Sequence, residues 1–221
     1  MWNSATIQML WEGILATLYM TLSSTLIAYV IGLPIGIALV VTAKDGLRPN
    51  AVVYKLLDFI VNIVRSVPFL ILLILVIPIT RAIVGKSYGA SATIIPLTLA
   101  AAPFIARLVE SSLLEVDKGV IEAAQSMGAS TMTIICKVLL AEAKSSLIVG
   151  ATIALGTILG YSAMAGAVGG GGLGDIAIRY GYNRYQADIM TVTVILLIIL
   201  VQIFQWAGTR ISKKTDRRIT G

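Results

Sequence analysis

The residue types that carry most enzymatic chemistry are scarce in this sequence. Its 221 residues include no histidine and a single cysteine, Cys136. A Ser-His-Asp or Cys-His catalytic set, a Cys/His metal site and an internal disulfide are therefore excluded. Carboxylates remain, but no pair of them is spaced to indicate carboxylate chemistry. We predict no catalytic residue and no metal or other cofactor bound by this chain.

The tripeptide Gly85-Lys86-Ser87 resembles the end of a phosphate-binding loop. That loop needs a glycine five residues before Gly85, where this chain has Thr80. An apolar segment precedes the tripeptide, whereas a strand precedes a true phosphate-binding loop. We therefore predict that the chain does not hydrolyse ATP by itself.

The most informative motif is the run from Glu122 through Ala123 and Ala124 to Gly128, which lies in a polar break between apolar segments. At 100° per residue this region is amphipathic. Gly128 stands where a left-handed helix cap favours glycine, and Ser130 can cap a second helix. The pattern predicts a short helix, a tight turn and a second helix. It is either a docking element for a soluble partner or a surface helix of no special role.

Composition places this motif in a membrane protein. The chain is 57% hydrophobic and 13% charged, with a mean hydropathy of +0.92, whereas soluble domains are about 25% charged. We predict an all-α integral membrane protein, one domain over residues 1–221, with a cytoplasmic loop at about 114–146. The five apolar segments long enough to span lie at about 10–41, 67–84, 92–113, 147–168 and 189–208.

The distribution of basic residues predicts the orientation of the chain. Lys and Arg are absent before the first span but frequent after the first and third spans and in the tail, which includes Arg217 and Arg218. The N-terminus is expected outside, and the C-terminus and the motif in the cytoplasm. The net charge of +6 then reflects topology and attraction to membrane lipid, and nucleic acid is not an expected partner.

Small residues interrupt two of the predicted spans. Gly32 and Gly36, and also Gly156 and Gly160, recur at four-residue spacing, which lets helix backbones approach in lipid. They serve either packing within one chain or a subunit interface around a pathway. Residues 160–174 contain so many glycines that no continuous helix is expected there. That stretch either lines a passage or is a flexible linker.

Charged and polar residues near the spans form two predicted groups. Arg107 and Glu110 are three residues apart on one helix face, and Asp58, Asn62 and Arg65 form a polar stripe before the second span. They are either interfacial anchors or a salt-bridged gate or brace beside the cytoplasmic loop.

These stretches together resemble the membrane subunit of bacterial methionine ABC importers. The resemblance extends from about Trp11 to Arg210, and the Glu122–Gly128 motif resembles the EAA loop of that family. The segments that carry it are Gly32–Gly36, Val61–Phe69, Ala102–Arg107 with Glu110, and Gly160–Gly174 followed by Tyr180–Tyr182. The family loop ends in I-x-L-P, and this chain has Val138, Leu140 and Ala141 at those places. Ala141 leaves the bend after the loop without its usual proline.

The resemblance implies the type I permease fold of ABC importers and a homodimer. It also implies two cytoplasmic ATPase subunits that bind ATP and Mg, and a lipid-anchored external methionine-binding protein. The implied transport cycle is alternating access. The residues expected to contact the ATPase are Glu122, Ala123, Ala124, Met127, Gly128 and Ala129. Those expected at the translocation pathway or gate are Pro68, Phe69, Tyr161, Ser162, Met164 and Gly166, and those expected to act as a lever are Arg65, Arg107 and Glu110.

Three alternatives remain at this point. The same machine could import another amino acid or small solute. An ATP-independent transporter or channel is disfavoured because the spans show neither a paired repeat nor a deep acidic relay. A purely structural membrane scaffold would not need the cytoplasmic motif.

Overall fold

The protein, in a computed structural model that describes residues 4–215, is helical throughout, and that range contains no β-strand. The α-helices are α1 (Ser4–Thr42), α2 (Ala51–Ser66), α3 (Phe69–Leu75), α4 (Ile77–Val84), α5 (Ala90–Leu114), α6 (Lys118–Ser126), α7 (Thr131–Thr133), α8 (Leu140–Glu142), α9 (Lys144–Ala165), α10 (Gly172–Ile176) and α11 (Ala187–Thr215). Two π-helical turns (Ile134–Leu139 and Ala177–Tyr182) and a 3₁₀ turn (Gly166–Val168) connect some of them. The all-α prediction is confirmed. Arg217 and Arg218, used above for orientation, lie outside the described residues.

Four helical segments of residues 4–215 are long and apolar enough to cross a membrane. They are α1, α5, the segment Lys144–Tyr182 that begins with α9, and α11. Helices α2 and α3 qualify together as a fifth span, with a bend of 101° between them. This count agrees with the five predicted spans, although the stretch predicted as the second span consists of two short helices, α3 and α4.

Pro68 explains why the second span is broken. Proline disfavours helical backbone at the residue before it and has no N–H to donate. Accordingly, α2 ends at Ser66, and Pro68 precedes the first residue of α3 with an extended backbone, φ −56° and ψ 135°. The sequence-based boundary at Val67 therefore marks the break in the span rather than its beginning.

The chain forms two compact units, each built from three segments. The first comprises residues 1–28, 67–101 and 155–205, and the second comprises residues 29–66, 102–154 and 206–221. The single-domain assignment for residues 1–221 stays a prediction.

In the first unit, α10 packs on the beginning of α1. Leu10, Leu173 and Ile176 are buried together in an apolar core. The backbone N–H of Leu173 donates to the Thr17 hydroxyl over 2.9 Å, and a Cβ on Gly172 would lie 2.6 Å from that oxygen. Because α10 has only five residues, tertiary contacts hold it rather than its own helix propensity.

In the second unit, the end of α1 packs tightly against α5. A Cβ atom placed on Gly32 would lie 2.6 Å from the carbonyl oxygen of Ala102, and one on Gly36 would lie 2.6 Å from that of Ala106. The buried apolar core beside this contact comprises Leu39, Val61 and Ala106. For Gly32 and Gly36 the structure therefore supports packing within one chain, the first of the two alternatives.

Candidate functional site

The Glu122–Gly128 motif forms the predicted short helix and turn. Asp117 caps α6, since its carboxylate accepts a hydrogen bond from the backbone N–H of Gly119 over 2.7 Å. Gly128 has φ +76°, the left-handed conformation expected of it. Ser130 accepts from the backbone N–H of Thr133 over 3.2 Å and begins α7. Helix ends satisfied in this way give the loop a defined shape.

Most of the side chains of this loop are free to meet a partner. Ala124 is buried, whereas Glu122 and Ala123 are exposed. Met127 is 81% exposed and, after the turn, Met132 is 67% exposed. The apolar side predicted for α6 is thus divided, with Ala124 packed inward and Met127 left outside. Apolar side chains exposed on a charged loop are a common feature of docking surfaces.

The segment after the turn is a π-helical turn followed by a break. The backbone N–H of Leu140 donates to the carbonyl of Ile135, five residues earlier. Helix α8 is capped at Ala143, two residues beyond Ala141 and just before α9. The backbone N–H of Ala143 still donates to the carbonyl of Leu139, and its carbonyl accepts from the N–H of Leu147. Single π-helical turns are frequent at functional sites. No pattern in the sequence predicted this one.

Arg107 is the centre of a polar cluster that joins α5 to α2. Its guanidinium donates to Glu110 over 2.6 Å and to Asn62 over 2.9 Å, and it also bonds to Asp58. The side chains of Arg107 and Glu110 are 20% and 12% exposed. The two groups predicted separately are thus one network, except that Arg65 is exposed and takes no part in it.

An aromatic pair connects two of the predicted pathway segments. The rings of Phe69 and Tyr161 stack with centroids 4.5 Å apart and an interplanar angle of 6°. Pro68 lies just before Phe69 at the beginning of α3. Ser162 is buried and donates its hydroxyl to the carbonyl of Leu159 over 2.7 Å, and its place at the passage stays a prediction. Met164 is exposed, and its place at the passage likewise stays a prediction.

The glycine-rich stretch is ordered, and its helix break begins later than predicted. Helix α9 continues to Ala165, so only residues 166–171 leave the α-helix. Gly166 is buried so closely that a Cβ there would overlap the backbone of Gly174. The Thr93 hydroxyl donates to the carbonyl of Gly170 over 3.1 Å. Burial and hydrogen bonding of this kind disfavour the flexible-linker alternative.

The second pair of small residues differs from the first. A Cβ on Gly156 or Gly160 would meet nothing within 4 Å. These glycines are therefore not used for packing among the described residues, and the subunit-interface alternative remains open for them.

Two features of the structure had no counterpart in the sequence-based predictions. Tyr185 is, within residues 4–215, the one residue other than glycine with a positive φ, 55°. Gly208 lies so close to Thr152 that a Cβ would overlap the threonine side chain. Gly208, as a small residue within the last apolar segment, was itself a signal for the close contact with Thr152. Composition gave no signal for the positive φ of Tyr185.

No catalytic or metal-binding constellation accompanies these elements in the part of the chain that the structure describes. Within residues 4–215, no group of three or more His, Cys, Asp or Glu side chains is placed to hold a metal ion. The exposed loop, the partly buried charge network and the aromatic pair are suited to docking and movement.

Known transport proteins resemble this chain in both sequence and structure. The family described as binding-protein-dependent transport system inner membrane component matches residues 32–217. A Vibrio cholerae protein named probable D-methionine transport system permease protein MetI is 52% identical over 202 residues, which is 91% of this chain and 90% of that protein. The D-methionine transport system permease protein MetI of Escherichia coli K12 is 52% identical over 161 residues, covering 72% of this chain and 74% of that protein.

Solved structures agree with the sequence comparisons. A chain of the MetNI methionine ABC transporter in an inward-facing conformation has a TM-score of 0.96 and 50% identity, covering 98% of this chain and all of that chain. A chain of an amino acid ABC transporter has a TM-score of 0.78 at 17% identity, covering 94% of each chain. The second match supports the fold alone, and the first supports the predicted five-span permease fold over the whole described chain.

Proposed function

The chain belongs to the family of inner membrane components of binding-protein-dependent transport systems, and from that premise we propose that it is the translocating subunit of an ATP-driven methionine importer. Its place in the inner membrane and its role as a permease follow from the family. The assignment of methionine as the substrate rests on similarity over nearly the whole chain, with about half of the residues identical to relatives named as methionine permeases.

The EAA-type loop couples this subunit to a separate ATPase. Helix α6 and its turn present the exposed side chains of Glu122 and Met127 to the cytoplasm, and Ala124 anchors the helix from behind. The docking residues are Glu122, Ala123, Ala124, Met127, Gly128 and Ala129. ATP and Mg bind to the two ATPase subunits. Closure of those subunits on ATP draws the two coupling helices together.

Movement of α6 reaches the rest of the subunit through α5. Helix α5 ends at Leu114, three residues before the Asp117 cap of α6, so a displaced loop pulls α5 directly. Arg107 transfers this displacement to α2, because it bonds to Asp58 and Asn62 there as well as to Glu110 on its own helix. Arg65 in the last turn of α2 is the last charged residue before Pro68 and Phe69.

The first pathway residues, Pro68 and Phe69, follow closely after the end of α2 along the chain. Stacked Phe69 and Tyr161 form the gate, with Pro68 as the hinge. Gly166, in close contact with the backbone of Gly174, belongs to the same pathway. Met164 and Ser162 belong to the passage, and Ser162 also stabilises the helix that bears them through its bond to Leu159. The passage need not bind substrate tightly, because a ligand shifts conformations only by differential affinity. Selectivity then belongs mainly to the external binding protein.

The working assembly contains two copies of this chain, two ATPases and a lipid-anchored external methionine-binding protein. The excess of Lys and Arg after the first and third spans supports an external N-terminus and a cytoplasmic C-terminus and loop. Exposed apolar side chains on α1, α2 and α11 face membrane lipid.

The test is uptake of labelled L-methionine by cells that lack this chain and regain it, with and without the ATPase partner. D-methionine and a panel of other amino acids serve as unlabelled competitors. Restored uptake that needs the ATPase and is competed only by methionine-like compounds is the expected result. Competition by another amino acid would change the substrate, and uptake that persists without the ATPase would contradict the importer itself.

A further inference from the structure

A cavity of about 760 Å³ lies within the second unit, at the ends of three helices. The end of α5, the beginning of α9 and the end of α11 border it. Its charged lining residues are Glu115, Glu142, Lys144 and Lys214, and its hydroxyl-bearing lining residues include Ser112, Ser145, Ser146 and Ser212. Neither the Arg107 cluster nor the Phe69–Tyr161 pair lines it.

The charged side chains of this cavity are unpaired, although both signs are present. Within residues 4–215, the ion pairs join Arg107 to Asp58 and Glu110, and Arg179 to Asp175. None involves the two glutamates or the two lysines of the cavity. Four charged groups thus line one space without neutralising one another directly.

The serines of the same cavity are satisfied among themselves. Ser145 and Ser212 lie 3.0 Å apart at their hydroxyls, and the Ser146 hydroxyl donates to that of Ser112 over 3.0 Å. These bonds join α9 to α11 and α5. The serines therefore brace the wall, whereas Glu115, Glu142, Lys144 and Lys214 are exposed to solvent and accessible to a ligand.

The formal charges around the cavity cancel, which restricts the ligand. Two ammonium groups and two carboxylates give an isolated anion or cation no net attraction. A molecule with one charge of each sign gains from both pairs, and charge-assisted hydrogen bonds are about twice as strong as neutral ones. The position also favours such a molecule, because apolar, partly exposed Val149 on α9 lines the cavity at one end of a helix that can span the membrane.

We propose that this cavity binds a zwitterion in which a primary ammonium and an anionic group are separated by a short spacer. The ammonium donates to Glu115 and Glu142, and the anionic group accepts from Lys144 and Lys214. Two sources share this chemistry, namely the headgroup of phosphatidylethanolamine and a free α-amino acid. The amino-acid source rests on the importer function proposed above, whereas the lipid source does not.

The lipid arm measures retention of single phospholipids by the assembled transporter, isolated from membranes and analysed by native mass spectrometry. Phosphatidylethanolamine is expected to be retained about tenfold more strongly than phosphatidylcholine, which has no N–H donor, or phosphatidylglycerol, which has no ammonium. The paired changes Glu115→Gln with Glu142→Gln, and Lys144→Gln with Lys214→Gln, should each remove this preference. Lys213→Gln, on an exposed neighbour outside the cavity, should keep it.

The amino-acid arm uses the same variants in nanodiscs that contain only phosphatidylcholine. L-methionine is titrated beside its decarboxylated amine, which keeps the ammonium and lacks the anion. Binding of L-methionine that falls about tenfold for the amine and for both paired variants assigns the site to the amino acid. Equal retention of phosphatidylglycerol and phosphatidylethanolamine would overturn the lipid source. The proposal as a whole is overturned if neither phosphatidylethanolamine nor L-methionine distinguishes the paired variants from Lys213→Gln. Uptake is not the readout, so a negative result here leaves the importer function standing.

Discussion

Gly128 shows how one backbone conformation shapes the coupling loop. A Cβ at Gly128 has free space around it, so the left-handed φ is the constraint. We expect Gly128→Val to uncouple ATP hydrolysis from uptake, because a β-branched residue strains this conformation by roughly 1–3 kcal/mol. Gly128→Asn is the matched control, since asparagine tolerates a positive φ. Uptake and ATPase rate are compared at equal membrane insertion, and equal uptake by the valine variant would refute the coupling role.

Arg107 makes hydrogen bonds to three partners, and a single substitution at Arg107 removes all of these bonds. Arg107→Gln leaves Asp58 and Glu110 without their cation, so we expect at least a tenfold loss of uptake per inserted subunit, or about 1.4 kcal/mol. Arg107→Lys should rescue little, because an ammonium lacks the fork that reaches several acceptors. Lys55→Gln, an exposed change on α2, is the control. Full activity of the lysine variant would show that charge alone suffices.

The Phe69–Tyr161 pair can be tested for a role as gate. Tyr161→Phe keeps the ring and should keep uptake, whereas Tyr161→Ala and Phe69→Ala should each reduce it severalfold. Stacked rings contribute about 0.5–1.5 kcal/mol beyond their burial. In a double-mutant cycle on uptake, the effects should be less than additive. Independent effects would mean that the contact does not act as a unit.

At the residue scale, the sequence predicted what depends on local spacing. The positive φ of Gly128, the Ser130 cap and the closeness of Arg107 to Glu110 all follow from neighbours in the chain. The bond from Arg107 to Asp58 spans 49 residues, so it depends on which helices pack together. The burial of Ser162 was missed for a similar reason, because helix periodicity does not identify the side that is covered.

Among the helices, the approach of α1 to α5 gives the sharpest stability prediction. Alanine in place of helical glycine usually stabilises by about 1 kcal/mol. We expect the reverse at Gly36→Ala, because its Cβ would lie 2.6 Å from a carbonyl oxygen. Gly150→Ala is the control, since its nearest new contact is an ordinary 3.5 Å. Thermal unfolding of the solubilised chain should show a lower midpoint for Gly36→Ala alone.

Element boundaries were predictable where apolar runs are uniform. The long apolar segments of α1, α5, α9 and α11 appear close to their predicted positions. Helix α2 was not recognised as the first part of a bent span. Its polar residues Asp58, Asn62 and Arg65 led to the prediction of a polar segment that precedes the second span. The helix break in the glycine-rich stretch was predicted too early. A glycine such as Gly160 disfavours a helix but does not end it.

For the whole molecule, the single native cysteine provides a test of orientation. Cys136 is exposed beside the coupling loop, so a membrane-impermeant thiol reagent should label it in inverted vesicles and not in intact cells. Asn183→Cys in a Cys136→Ser background should show the opposite pattern. Labelling of Cys136 from outside would reverse the proposed topology.

At this scale, composition indicated the membrane and the number of spans, whereas the division into two units was not foreseen. Each unit combines three segments distant in sequence, and amphipathic periodicity carries no information about such combinations. The mixed-charge cavity likewise joins residues from three stretches of the chain, so it had no sequence signature.

The contact of Gly32 and Gly36 with α5 has a genetic consequence. Many packing defects can be suppressed by a smaller residue at the opposing position. Here the nearest opposing atoms are main-chain carbonyl oxygens of Ala102 and Ala106, which every amino acid carries, and the side chains of Ile105 and Val109 lie within 3.0 Å of the same Cβ positions. No replacement at those two alanines can restore the lost space, so intragenic suppressors of a Gly32 or Gly36 defect should map to other positions that let a helix shift as a whole.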